Sequence, residues 1–407
     1  ARARGMEVDL RLWEEADSFG GKIGTRKTGG FLCETGPNGF LDNSPPTLDL
    51  VKRLGLEGVL LRSSDAARRR FLYSSGALRA LPESPPAFMR SNLLTLRGRL
   101  RIIGEYFVPG KKEAATGEDE TVASFIRRRL GEEALQKLID PMASGIYAGD
   151  PEQMSMASCF PRVVALEKRY GGLIRGMLGK KKEARAAGGE GPSGAGPGGT
   201  LTSFRDGLGT FIDALAGALG DRSRASAPVA GLSVKTGNGG NTYELLLKNG
   251  DTSEAEAVVL ATPAYAASAI LAGLSPAAAA LLGQIPYSAM AVVHFGYRSS
   301  EVSNPLDGFG FLIPYREKRR ILGSLWSSSI FEHRAPEGSA LLTNMLGGAR
   351  DPVTPLSPDE AIFTLVREEL GLIMNQSSPP SFSKVIRWEK AIPQYLPGHE
   401  ARLVEIE

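Results

Sequence analysis

The 407-residue sequence predicts an α/β plus α+β protein: a Rossmann-like dinucleotide-binding domain interleaved with a mixed-sheet domain and a helical insert. Three observations lead there. A strand pattern over Met6–Glu14 ends on an acid, and six residues after Glu14 comes the pair Gly20-Gly21. An acid at a strand end followed by a tight glycine pair is the second half of a dinucleotide-binding βαβ unit. Residues 86–178 have helical apolar spacing. Residues 289–348 then hold several strands in succession, so two domains are assembled from distant parts of the chain.

Composition narrows the class. With 42% hydrophobic and 23% charged residues the chain can bury a sizeable core. A net charge of +3 is too small to argue for a nucleic-acid partner. The two cysteines, Cys33 and Cys159, are far apart and in no metal-ligand spacing, which fits a reducing compartment and no disulfide framework. His294, His333 and His399 are scattered, which argues against a histidine triad or a zinc site, and no metal is expected. No run of eighteen apolar residues predicts a transmembrane helix.

The elements follow in order. After the Gly20-Gly21 turn, Gly30–Glu34 leads into the turn Gly36-Pro37-Asn38-Gly39, and Ser44-Pro45-Pro46 starts a helix over Thr47–Leu54. Arg70–Tyr73 and Leu78–Pro82 alternate around Ser74-Ser75-Gly76 as a hairpin. Val122–Leu130, Glu132–Ile139 and Val163–Leu178 are helical. Lys180-Lys181-Lys182 and the Gly/Ala/Pro/Ser tract that follows predict a flexible surface loop over 179–203. Gly209–Leu219 is a helix, Gly237–Asn241 a hairpin turn, and Val258–Pro263 a buried parallel strand. Strands are expected at Met290–Gly296, Gly308–Ile313, Arg320–Trp326, Ala340–Leu346 and Ser383–Trp388, with a helix over 358–373. This divides the chain into dinucleotide-binding segments 1–67 and 204–265, mixed-sheet segments 68–83 and 266–407, the helical region 84–178 and the loop 179–203.

Several residues suit cofactor or substrate chemistry. The Glu14 carboxylate can accept two hydrogen bonds from ribose hydroxyls; Glu15 is a competitor, and the spacing to Gly20-Gly21 favours Glu14. Gly20-Gly21 can pass close beneath a cofactor because no Cβ intrudes, and Lys22 can reach a phosphate. Gly36-Pro37-Asn38 is a rigid turn. In Arg68-Arg69-Arg70, one inward arginine could hold a carboxylate bidentately. Residues 84–112 mix apolar bulk (Leu93, Leu96, Leu100, Ile103, Phe107) with Arg90, Arg97, Arg99, Arg101, Lys111 and Lys112. Two readings fit that segment: an interfacial membrane helix, or a core helix with a basic outer face.

Taken together, Glu14-x5-Gly20-Gly21, Glu34-Thr35-Gly36-Pro37-Asn38-Gly39-Phe40, Ile139–Pro151 with its Ser144-Gly145-Ile146-Tyr147-Ala148-Gly149-Asp150-Pro151 core, Gly308–Pro314, and Trp388-x2-Ala391-Ile392-Pro393-Gln394-Tyr395 resemble the oxygen-dependent protoporphyrinogen oxidases of the flavin amine oxidase superfamily. The similarity runs through essentially the whole chain. It implies an FAD-binding domain, a substrate domain and a helical membrane-associated insert. The implied reaction takes hydride from the porphyrinogen onto flavin and returns the electrons to O2 as hydrogen peroxide, in three cycles, with the cofactor doing the hard chemistry.

By position, the resemblance implies that Arg70 pairs with a propionate, that the Gly145 carbonyl faces the macrocycle, and that Leu312 and Leu325 sandwich a pyrrole ring. Met345 would add a thioether contact where a plant form has an aromatic ring. Val229 would lie beside adenine and Trp388 near the flavin, with Glu14, Gly20, Gly21, Lys22, Gly36, Pro37 and Asn38 completing the FAD site. A homodimer and peripheral membrane contact through 84–112 are implied, with a cytoplasmic location for a bacterial source and an organellar one for a eukaryote. The GxGxxG half of the βαβ unit, on the order of 30 residues, and the glycine-rich C-terminal segment of the family have no counterpart here. The expectation is therefore that the chain as written binds FAD poorly and does not itself perform the oxidation. Three rival readings are coproporphyrinogen III oxidation, a flavin amine oxidase, and a cofactor-free porphyrin- or membrane-binding protein. Nothing in the sequence resembles the aromatic cage that the amine reading would need.

Overall fold

The computed structural model describes residues 8–82, 84–111, 119–186, 199–237 and 240–407. Its strands are β1 (Leu12–Trp13), β2 (Thr25–Thr28), β3 (Phe31–Glu34), β4 (Phe40–Leu41), β5 (Leu60–Arg62), β6 (Arg70–Ser74), β7 (Ala77–Ala80), β8 (Leu201–Phe204) and β9 (Ser223–Arg224). They continue with β10 (Val229–Gly237), β11 (Gly240–Leu247), β12 (Thr252–Ala255), β13 (Tyr287–Arg298), β14 (Gly310–Leu312), β15 (Gly323–Leu325), β16 (Ser339–Gly347) and β17 (Phe382–Pro393).

The dinucleotide-type body draws on both early and middle segments. β1 pairs in parallel with β9, β8 joins β4 and β5, and β10-β11-β12 form an antiparallel layer that packs Leu232 and Leu245 against Trp13 and Ile270. The helix Gly209–Leu219 starts where the sequence places it.

The second body is a seven-stranded sheet in the order β17-β13-β16-β15-β14-β6-β7. Only the β14–β6 pair is parallel. Side chains alternate across a strand, and here the alternation sorts structure from site. One face places Ala291, Val293, Phe295, Leu342, Leu346, Phe311 and Trp326 against Ile362, Leu365, Val366 and Leu370 of helix Asp359–Met374. That helix repeats its apolar residues at three- and four-residue spacing, as a one-sided helix must. The register puts Arg70, Leu312, Leu325 and Met345 on the opposite face.

The helical insert packs Val122, Phe125, Ile126, Leu135, Ala143 and Met154 into its own core. It is cross-tied by a fully buried ion pair between Arg129 and Glu105. The Glu105 carboxylate also accepts the N–H groups of Leu173 and Ile174 at 2.8 and 2.9 Å, satisfying orphan donors at the start of helix Leu173–Ala186.

Three expected elements differ. The predicted helix Val163–Leu178 is two helices, Pro161–Tyr170 and Leu173–Ala186, separated at Gly171-Gly172. The predicted loop 179–203 is helical as far as Ala186, because Lys180–Ala186 are good helix formers; residues 187–198 lie outside the described residues. Val258–Pro263 is not a strand, and Val259 is 89% exposed. Among the described residues no strand runs alongside it, and a strand without a ladder leaves its backbone groups unpaired. The β10–β11 hairpin closes with Gly237 opposite Gly240; Asn238 and Gly239, like Met6 and Glu7, lie outside the described residues.

A buried polar knot joins the two sheet-containing bodies. The Glu34 carboxylate accepts from Thr25 Oγ1 at 2.7 Å and from Leu208 N–H at 3.0 Å, the latter at the start of helix Gly209–Leu219. Arg334 lies 3.6 Å away and donates to Ser203 Oγ and to the carbonyl oxygens of Phe204 and Arg205. Burial pushes the Glu34 carboxyl up and the Arg334 guanidinium down, the cost of withdrawing both from water. The Glu34 carbonyl and Thr343 Oγ1, each at 3.0 Å, occupy both ring nitrogens of His294.

Burial lowers the His294 pKa from 6.5 to about 4. The unfolded chain therefore holds that proton more tightly than the folded one. The resulting stability is fully present above about pH 6.5 and is lost as pH falls toward 4, a linkage worth about 3 kcal/mol. Chemical denaturation across pH 4–7 should show this slope in the wild type and a shallower one in His294→Gln. Equal slopes in the two proteins would exclude His294 as the source.

Candidate active site

The cofactor end is built on β1 and the loops beside it. Glu14 donates its N–H to the Arg224 carbonyl at 2.9 Å and accepts from Ala227 N–H at 2.8 Å. These bonds fix it next to Val229, which packs on Trp13. One Glu14 carboxylate oxygen accepts the Ala16 N–H at 2.9 Å; the other is open to a ligand hydroxyl among the described residues. Glu15 points outward to Lys248 at 3.3 Å.

Gly20 and Gly21 have φ of +106° and +56°, and the turn closes with Ile23 N–H on the Gly20 carbonyl at 2.9 Å. A Cβ on Gly20 would lie 2.4 Å from the Ile23 carbonyl oxygen, whereas one on Gly21 would meet open space. The turn is thus obligatorily glycine on its protein side and uncovered on the other. Gly36-Pro37-Asn38 runs directly against it: a Cβ on Gly36 would stand 2.8 Å from the Lys22 carbonyl oxygen. Thr35, between β3 and this loop, donates its hydroxyl to the Lys22 and Gly24 carbonyl oxygens at 3.1 and 3.0 Å. Its own carbonyl accepts from Trp388 Nε1 at 2.7 Å. The Lys22 ammonium lies 5.8 Å from the Tyr287 ring centre and 5.9 Å from that of Trp388, and desolvation lowers its pKa.

The substrate end is a shelf on the open face of the large sheet. Leu312 is opposite Gly323, which is opposite Met345. In the next row, Gly310 lies between Arg70 and Leu325. The glycines between larger neighbours make the shelf flat and aliphatic. Helix Asp140–Tyr147 brings Gly145 so near that an added Cβ would be 2.8 Å from Leu312 Cδ2. Met345 joins Trp388, Leu322 and Ala148 in one apolar cluster, which links the shelf to the cofactor end.

Arg70 rests over the Phe309 ring at 5.3 Å. Its sequence neighbours are engaged, Arg68 with Asp65 at 3.2 Å and Arg69 with Asp307. Among the described residues, Arg70 has no carboxylate partner. It lines a cleft of about 440 Å³ together with Arg62, Arg68, Leu201 and Phe309. A flat apolar body with acidic substituents matches these surroundings.

The structure brings Lys22 and Gly36 to Trp388, Trp388 to Met345, and Met345, Leu312, Leu325 and Arg70 into adjacent rows beside Gly145; Glu14 and Val229 stand together at the β1 edge. Sequence reasoning missed Thr35, Tyr287 and the Glu34–Arg334–His294 knot. The one legible signal was Glu34, an acid closing the apolar run Phe31-Leu32-Cys33 directly before the turn. No nucleophile or free histidine faces the shelf, and no group of side chains among the described residues could hold a metal.

The flavin containing amine oxidoreductase family matches residues 2–405. Coproporphyrinogen III oxidase of Bacillus subtilis (strain 168) is 31% identical, over 100% of this chain and 85% of the relative. Protoporphyrinogen oxidase 1, chloroplastic, of Arabidopsis thaliana is 33% identical, over 96% of this chain and 74% of the relative. A crystal structure from Exiguobacterium sp. 255-15, provisionally assigned as a protoporphyrinogen oxidase, superposes with a TM-score of 0.78 at 25% identity, covering 97% of this chain and 84% of that one. The chain belongs to the flavin containing amine oxidoreductase family.

Proposed function

We propose that the protein is an FAD-dependent oxidase converting protoporphyrinogen IX to protoporphyrin IX with O2 as acceptor. The observation that carries this reading is the flat aliphatic shelf of Leu312, Gly323, Met345 and Leu325 with Arg70 at its edge, continuous through Met345 with Trp388 and the glycine turn. Porphyrinogen oxidases from bacteria and plants align along nearly the whole chain.

The residues present suit FAD. Glu14 offers an unoccupied carboxylate oxygen for a ribose hydroxyl, Val229 an apolar edge, and Gly21 an open backbone surface. Lys22 supplies the cation next to it. Bound FAD would supply the two-electron acceptance and the reaction with oxygen. The protein's own contribution is placement. Arg70 would anchor a propionate through charge-assisted hydrogen bonds. Leu312, Leu325 and Met345 would exclude water from the macrocycle face, and the Gly145 helix, packed against Leu312, would border it at that edge. Overall, six electrons and six protons leave the macrocycle and three O2 become three H2O2. The buried His294 takes no part, since both its ring nitrogens are occupied.

Arg62 lines the same cleft as Arg70, with Asp42 no nearer than 3.9 Å, and this added cation favours a second reading, oxidation of coproporphyrinogen III, which carries two more carboxylates. Turnover of both porphyrinogens, followed by porphyrin fluorescence, separates the two: the preferred substrate has the higher kcat/KM. Turnover of neither, with no flavin bound, would favour the cofactor-free reading.

Membrane contact is a further part of the proposal. Leu96, Leu100 and Phe107 are 64%, 57% and 78% exposed, and Met177 and Leu178 are exposed on helix Leu173–Ala186. The cations of this region are less available than the sequence suggested. Arg99 donates to the Met89 carbonyl, and Arg101 to those of Arg128 and Arg129. No helix among the described residues is long and apolar enough to cross a membrane, so the contact would be peripheral.

Arg70→Ala should raise KM for protoporphyrinogen about tenfold to a hundredfold with kcat little changed, since it removes binding energy common to ground and transition states. Gly145→Ala should displace Leu312 and raise KM, while the melting temperature holds or falls, because the helix gain of about 1 kcal/mol is offset by overpacking that costs about 1–3 kcal/mol. A normal KM in either variant would count against the assigned shelf. The protein should co-sediment with anionic vesicles, and Leu100→Ser with Phe107→Ser should release it; equal recovery in the supernatant with and without vesicles would exclude the contact.

A further inference from the structure

Arg350 lies off the shelf, yet it contacts the Gly145 helix, the turn that follows that helix and the segment that follows Leu312. Its guanidinium bridges two carboxylates, Asp140 at 2.5 Å and Asp150 at 2.7 Å. Asp140 is the first residue of helix Asp140–Tyr147, and Asp150 follows its end. One arginine therefore grips both ends of the helix that carries Gly145. Arg350 itself comes just after β16, five residues beyond Met345.

The same knot takes in the strand that carries Leu312. Tyr315, three residues past Leu312, donates its N–H to the second Asp140 oxygen at 2.8 Å. The Tyr315 ring lies 4.2 Å from the Arg350 guanidinium. Nearby, Ala349 N–H donates to the Ala148 carbonyl at 2.7 Å, and Gln394 Nε2 to the Tyr147 carbonyl at 2.9 Å.

The helix needs this outside support. It emerges from a π-helical turn over Leu135–Ile139 and ends on Ala148 at φ +48°, a left-handed position unusual for alanine. The three clasp side chains are 21%, 8% and 13% exposed, enough burial for the ion pairs to resist screening. Burial would push the Asp150 carboxyl up, but hydrogen bonds from Arg350 and the Glu152 N–H outweigh it and hold it low. The planar guanidinium bonds the two carboxylates through separate Nη groups while its face stacks on the ring; an ammonium offers the charge without that fixed geometry.

We propose that Arg350 is a positioning residue that fixes where the Gly145 helix rests on Leu312 at the edge of the shelf, and thereby the affinity for the porphyrinogen macrocycle. It does so without touching substrate, by fastening both helix ends to the segments that follow Leu312 and Met345. The proposal rests on the porphyrinogen reading of the shelf. A merely structural arginine would lower the melting temperature and leave substrate affinity alone. A positioning arginine moves affinity, because the apolar contacts that hold a flat ligand weaken by a quarter to a half over a displacement of about 0.5–1 Å.

The test uses Arg350→Gln, Arg350→Lys and Asp150→Asn in the full flavin-loaded protein. It reads KM and kcat for protoporphyrinogen, the equilibrium Kd for protoporphyrin by fluorescence titration, and flavin content. Arg350→Gln should raise KM and porphyrin Kd together by about tenfold, with flavin content unchanged and kcat much less affected. Asp150→Asn leaves the Asp140 arm intact and should give a smaller rise; Arg350→Lys should restore only part of the affinity. If Arg350→Gln does not fold, Asp150→Asn decides alone. Unchanged KM and porphyrin Kd in the folded variants, whatever happens to melting temperature, overturns the proposal while leaving the porphyrinogen reading standing. Failure of the wild type itself to bind porphyrin or turn over porphyrinogen overturns both.

Discussion

The burial of Glu34 is the constraint on which the rest of the structure depends. A carboxylate taken out of water is tolerable only if its lone pairs are met. Here Thr25 and the start of helix Gly209–Leu219 meet them, with Arg334 close by. Those partners come from the second strand, the middle of the chain and the large sheet. Satisfying one side chain therefore fixes three distant segments relative to one another. His294 extends the same knot by binding the Glu34 carbonyl from β13, 260 residues away. The next residue, Thr35, then has a determined place. It braces the glycine turn with its hydroxyl and holds Trp388 with its carbonyl.

The two faces of the seven-stranded sheet divide the work. The face covered by helix Asp359–Met374 is a continuous apolar core. The other faces the cofactor body at β13 and the helical insert at β14, and the shelf lies between those contacts. Its flatness comes from backbone pairing, because Gly310 and Gly323 fall between larger side chains in adjacent rows. A site made this way is precise where strands are registered and adjustable only where the helix approaches. The helix-end contacts act at that adjustable side, where Gly145 meets Leu312. The insert in turn is held rigid by charges paired away from solvent, above all Arg129 with Glu105, so its position relative to the sheet can be passed to Gly145 through Asp140.

Much of this was legible in advance for local reasons. Gly20 and Gly21 announced a turn that only glycine can make, and the hairpin at Ser75-Gly76 and helix Gly209–Leu219 follow from local chemistry. The strand expected at Val258–Pro263 failed because a strand exists only with a neighbour. The predicted loop after Leu178 failed at its front end because composition was read across a boundary that the helix formers Lys180–Ala186 ignore. The basic residues of 84–112 looked like a uniform cationic face, but Arg99 and Arg101 turned inward to backbone carbonyls, a choice set by tertiary acceptors.

By itself, the sequence determined the class of fold, the glycine turn with its acid, and a set of candidate residues whose identities suit a flavin and a flat, acid-bearing macrocycle. The fold class and the glycine turn reside in residue type and short spacing; the flavin and macrocycle roles are what the family resemblance implies. Only the tertiary structure decided that Glu15 is taken up by Lys248, that Arg70 alone of its run lacks a carboxylate partner among the described residues, and that Arg350 grips both ends of the Gly145 helix. Each is a question of which charges meet which partners. The partners stand up to hundreds of residues apart in the chain, and folding alone brings them within hydrogen-bonding distance.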